Sequence, residues 1–62
     1  MTTQHKLKLY LDRHRIWRKA IRNNDPFSGA NDPEPDMNDY KILDPAARMA
    51  ARSMVEQESK DE

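Results

Sequence analysis

Along the first third of the chain, large side chains recur at helical spacing. Leu7, Tyr10, Leu11, His14, Trp17 and Ile21 follow one another in steps of three and four. At about 100° per residue they share one side of a helix, with His14 as the polar member of an otherwise apolar seam. Leu9, Ile16 and Ala20 form a second, narrower apolar stripe on the opposite side. Between the two, Lys8, Arg15, Lys19 and Arg22 line up as a basic row, while Lys6 and Arg13 fill the other gap. The pattern predicts an amphipathic helix over residues 4–23, with Thr2 or Thr3 as its N-cap. A helix with two apolar faces wants two neighbours. One is the rest of this chain; the other is a second copy or a different molecule, unless the linker folds back as well.

Asn23-Asn24-Asp25-Pro26 ends that helix. Asn tolerates the left-handed cap, and Pro26 pushes the residue before it out of helical geometry. Residues 24–43 read as a Pro/Asp-rich linker. Asn-Asp recurs there every seven residues, at Asn24-Asp25, Asn31-Asp32 and Asn38-Asp39. Turn-residue composition accounts for this repeat; successive Asx-turns laying the linker along a surface are the alternative. In that alternative Phe27, Met37, Tyr40, Ile42 and Leu43 are the anchors. A structureless loop of about 20 residues is unusual in a small domain, which favours a wrapping or binding segment.

A second helix is predicted over residues 44–57. Asp44 is a good N-cap, Pro45 suits the first helical position, and the residues that follow have high helix propensity. Ala47, Ala50, Ala51 and Met54 share a face, and Arg52 and Glu56 have the spacing of a surface ion pair. Glu56, Glu58, Asp61 and Glu62 crowd the negative end of this helix, so residues 58–62 are predicted to fray. The fold class is therefore all-α: one small domain of two helices joined by a long linker, as an antiparallel helical hairpin or splayed on a partner.

Composition changes this picture in one respect. Of 62 residues 35% are charged, and the mean hydropathy is −1.17. So short and polar a chain supplies about 3–5 kcal/mol from its core at most. Part of it must stay loose, or a partner must add buried area. The absence of Cys excludes a disulfide or thiolate staple and suits a reducing compartment, so a cytoplasmic location is expected. No apolar run approaches the roughly 20 residues of a membrane span, and a membrane partner is not expected.

The formal net charge of zero hides a split. Residues 1–24 carry seven Lys or Arg against one Asp, and residues 25–62 carry four against ten Asp or Glu. Such asymmetry indicates a basic interaction arm or internal charge pairing. The basic row of Lys8, Arg15, Lys19 and Arg22 has four readings. It is a solvated helix face, it meets an acidic protein surface, it tracks a nucleic-acid backbone with Trp17 stacking on bases, or it pairs with the acidic linker at Asp32, Glu34, Asp36 and Asp39. The near-neutral pI of 6.7 argues against nucleic acid.

Catalytic chemistry has no foothold. Ser28, Ser53 and Ser59 have no His and acid at a recognisable spacing, and the lone Gly29 makes no phosphate loop. His5 and His14 are nine residues apart, on opposite faces of one helix, so they cannot share a metal. No catalytic residue, metal, cofactor or small-molecule substrate is expected. The sequence reads as a small non-enzymatic adaptor or regulatory protein. Its partner-binding residues are Tyr10, Arg13, Arg15, Trp17, Lys19, Ile21, Arg22, Phe27 and Tyr40. The alternatives are a nucleic-acid-binding protein using Lys8, Arg15, Lys19 and Arg22, and a minor structural subunit of a large complex. The partner is a protein, or a second copy through self-association.

Overall fold

In the computed structural model, α1 spans Thr3–Asn23, a single 3-10 turn spans Met37–Tyr40, and α2 spans Pro45–Asp61. The structure describes the backbone of residues 2–61 and the side chains of residues 2–60. Among them there is no strand, and the predicted two-helix, all-α class stands. Thr2 caps α1: its hydroxyl accepts from the His5 N–H at 3.2 Å. At the other end Asn24 adopts the left-handed conformation, φ 52°. The Asp25 N–H reaches back to the Ala20 carbonyl at 2.8 Å and the Asn24 N–H to Ile21 at 3.1 Å, a Schellman closure. The linker closes its own 3-10 turn in the same way. Lys41 is left-handed at φ 57°, and the Ile42 N–H bonds the Met37 carbonyl at 3.1 Å.

The linker runs back along α1 from its C-terminal end to its N-terminal end. Asp32 lies beside Arg13 and Trp17, Glu34 beside His14, Tyr40 beside Tyr10, and Lys41 beside Lys6. At 1.5 Å per residue α1 is about 30 Å long, a span that residues 24–44 cover easily. The return trip places the start of α2 near the start of α1. The far end of α2, at Glu58, then meets Arg15 and Arg18. The two helices therefore run in the same direction. This corrects the expected antiparallel hairpin: a short connection forces antiparallel neighbours, whereas this strap is long enough to reset the direction.

The core lies where the three segments meet. It consists of Tyr10 and Leu11 from α1, Ile42 from the end of the strap, and Ala47 and Ala51 from α2; Leu7, Met37, Tyr40 and Val55 pack around it. The two alanines let α2 approach closely enough for Ile42 to be the largest fully buried side chain. The second correction concerns the tail. The helix expected to end at 57 continues through Asp61, because α1 contributes two guanidinium groups to the Glu58 carboxylate near its negative end. Glu62 lies outside the described residues. The expected Arg52–Glu56 pair is not formed; both side chains face a cleft instead.

Candidate functional site

The side of α1 that carries its aromatic residues is occupied by the chain's own strap. Tyr40, Tyr10, His14 and Trp17 form a run of tilted and edge-on rings with centroids 5.4–5.9 Å apart. Steps of four and three along α1 bring the last three together. The strap seals this run with polar contacts. The Trp17 indole N–H donates to the Asp32 carbonyl at 3.0 Å, and Arg13 donates to the Asp32 carboxylate at 3.3 Å and to the Ser28 carbonyl. Gly29 is buried under Arg13 with φ 117°, and a Cβ there would come within 3.0 Å of the guanidinium. That position favours glycine for its positive-φ backbone, since the guanidinium end of Arg13 could shift to admit a Cβ.

His14 is 2% exposed, and both of its ring nitrogens are engaged. Arg18 approaches Nδ1 at 2.6 Å, and Glu34 approaches Nε2 at 2.9 Å. A guanidinium only donates, so Nδ1 accepts; the tautomer assigned from these partners carries its proton on Nε2 and donates it to Glu34. Arg18 also donates to Glu58, which binds Arg15, and Arg15 in turn binds Asp12. The result is one polar chain, Glu34–His14–Arg18–Glu58–Arg15–Asp12, that ties strap, α1 and α2 together. Among the described residues no buried side-chain nitrogen or oxygen lacks a partner. Desolvation pushes the Glu58 carboxyl up, but the hydrogen bonds from Arg15 and Arg18 outweigh it and hold the group below its ordinary range. Burial, reinforced by Glu34 and Asp36, raises the Tyr10 phenol above its usual value. The Ser28 hydroxyl, helped by the Phe27 and Ser28 backbone amides, keeps the half-buried Asp25 carboxyl low.

The partner-binding residues read from the sequence separate into three groups. Tyr10, Arg13, Trp17 and Tyr40 are engaged by the fold itself. Arg15 is committed to Asp12 and Glu58. Lys19, Ile21, Arg22 and Phe27 are exposed, Phe27 completely. Of the basic row proposed for nucleic acid, Lys8, Lys19 and Arg22 are exposed, while Arg15 spends its charge on carboxylates. The linker pairing expected of this row is not what Arg15 makes: it turns to Asp12 and Glu58, and the linker acids take other groups. Asp32 takes Arg13, Glu34 takes His14, and Asp36 caps the 3-10 turn. The seven-residue repeat has no structural counterpart. Asp25 makes an Asx-turn, Asp32 an ion pair, and Asp39 sits within the 3-10 turn. Arg18 and Glu58 were missed as a pair, because only the parallel course of α2 brings them together.

Two concavities bear on binding. One is an open groove of about 340 Å³ between the helices, floored by Leu7, Leu11 and Met54 and edged by Lys8 and Arg15. The other is a cleft of about 520 Å³ between strap and α2, with Tyr10, Pro35, Met37 and Val55 on its walls and Glu34, Asp36 and Glu56 among its charged groups. Among the described residues no cluster of three metal-ligating side chains exists, and no helix is long and apolar enough to cross a membrane. No family model, no curated protein and no solved structure matches the chain.

Proposed function

We infer that the chain is a small non-enzymatic adaptor or regulatory protein that binds a larger protein. The observation that carries this reading is the distribution of its large apolar side chains. Among the described residues three are buried: Tyr10, Leu11 and Ile42. Seven of the described residues are exposed: Leu9, Ile16, Ile21, Phe27, Leu43, Met49 and Met54. Single exposed hydrophobics are ordinary, but so small a core beside so much apolar surface favours a partner that supplies further burial. With the aromatic side of α1 under the strap, the reading places the partner on the helix–helix groove. There Leu7, Leu11 and Met54 offer an apolar floor, and Lys8 offers a charge for an acidic rim.

The test is a synthetic full-length chain with a photo-crosslinker at position 54 and a second with it at position 52, both applied to extract of the source cells. The reading predicts a discrete protein adduct from position 54, diminished by Lys8→Glu and absent from position 52. Equal adducts from both positions would contradict it. The exposure of Lys8, Lys19 and Arg22 keeps nucleic acid as a second reading. That reading requires binding to DNA or RNA at physiological salt, with a log–log salt slope of about −0.7 to −0.9 per phosphate contact.

A further inference from the structure

One side of α1 is left largely open by the strap and α2; only at its C-terminal end do Ile16 and Lys19 border a hollow with Asp25 and Ser28 of the strap. Leu9 and Ile16 lie seven residues apart on this side, 39% and 49% exposed, and Lys8 and Lys19 flank them. Leu9 sits about 160° round the helix from Leu7, which packs on the core, so this ridge faces away from the rest of the molecule. Of the two acids beside it, Asp12 is engaged by Arg15, and Asp25 accepts from the Ser28 hydroxyl and the Phe27 N–H. The ridge is therefore apolar along its middle and positive at its edge.

The cleft between strap and α2 lies on the far side of α1 and has the opposite character. Pro35, Met37 and Val55 give it apolar walls, and Glu34, Asp36 and Glu56 give it negative charge. Of its two cations, Arg48 is turned onto the Ile42 carbonyl at 2.7 Å and the Asn38 side chain, which leaves Arg52 against three carboxylates. A chain of zero formal net charge thus presents complementary surfaces on opposite sides.

We propose that the ridge of one copy docks in the cleft of the next, with Lys8 and Lys19 meeting Glu56 and Asp36 while Leu9 and Ile16 cover Met37 and Val55. Because the two surfaces differ and point apart, the contact is heterologous. It adds copies head to tail into an open row or a ring and does not close as a two-fold dimer. Its charged component is screened as ionic strength rises. The partner reading above uses the neighbouring helix–helix groove and shares Lys8 with this ridge; sedimentation of the pure chain tests the self-contact without that partner.

The test is analytical ultracentrifugation of the full chain. The weight-average mass is expected to climb with concentration up to about 1 mM at low salt, and to fall at least halfway back towards the monomer at about 0.5 M salt, where the screening length is only a few ångström. Two variants decide the geometry. Lys8→Glu with Lys19→Glu makes the ridge negative. Glu56→Lys with Asp36→Asn makes the cleft positive, and Asn keeps the cap that Asp36 provides. All four substitutions are at exposed positions, and unchanged helicity by circular dichroism verifies the fold. Each variant alone is expected to stay monomeric. Mixed one to one, they are expected to assemble again, since each now complements the other at both faces. A monomeric wild type at low salt would overturn the proposal. So would either variant assembling alone as the wild type does, or a mixture that stays monomeric.

Discussion

Replacing Ile42 by Ala is expected to destabilise the chain by about 3 kcal/mol, the loss usual for a fully buried Ile whose site cannot collapse. Ile42 is 2% exposed and sits where strap, α1 and α2 meet. Its neighbours Ala47 and Ala51 have no side-chain length with which to fill the void. A core of this size supports a total stability of only about 3–5 kcal/mol, so the substitution removes most of it. Urea titration followed by circular dichroism at 222 nm should show the variant only marginally folded in buffer, with about 0–2 kcal/mol of stability left. Phe27, wholly exposed in the same strap, serves as the control: Phe27→Ala is expected to stay within about 0.5 kcal/mol of the wild type. A loss below about 1 kcal/mol for Ile42→Ala would place the core elsewhere.

The next largest effect is expected at Glu58. Its carboxylate accepts from Arg15 and from Arg18, whose side chain is 9% exposed. Glu58→Ala leaves that buried guanidinium without its carboxylate, at a cost of about 2 kcal/mol. The same residue predicts a pH dependence. Its folded carboxyl is held below the ordinary range, so the unfolded chain binds the proton more readily. The stabilisation is therefore complete above the unfolded value of about 4.3 and is lost as pH falls through the lower folded value. Measured as a difference in urea midpoint between wild type and variant, the effect should be constant from about pH 7 to pH 5 and shrink below about pH 4. A difference that grows on acidification would contradict the assigned pairing.

Much of the local structure is legible in the residues themselves. Thr2, Asn24, Asp44 and Pro45 mark the helix boundaries because caps and the geometry of proline act over one turn. The seam of Leu7, Tyr10, Leu11 and His14 is legible from periodicity, and these four are buried or half-buried as expected. Ile21 belongs to the same seam by arithmetic and is 46% exposed, because the strap leaves the end of α1 over Ala20 and first meets the seam at Trp17. The direction of α2 is not legible. It depends on where residues 24–44 settle, and that is decided by contacts separated by about 15–20 positions, such as Arg13 with Asp32 and His14 with Glu34. The same cause hid Glu58: as a local feature it weakens the end of α2, and its cationic partners lie on α1. The candidate surfaces share this limit. The basic row was readable, but that Arg15 is neutralised while Lys8 and Lys19 stay open follows from the tertiary pairing.

The parallel course of the two helices underlies every surface described above, and one measurement tests it directly. A nitroxide attached at Ser59→Cys, an exposed position one residue beyond Glu58, reports on whichever part of α1 lies nearest. With the strap returning along α1, the amide signals of residues 14–19 should be broadened strongly and those of residues 3–7 far less. Strong broadening of residues 3–7 with residues 14–19 spared would mean an antiparallel hairpin, and would contradict the strap, the charge chain through Glu58 and the surfaces derived from them.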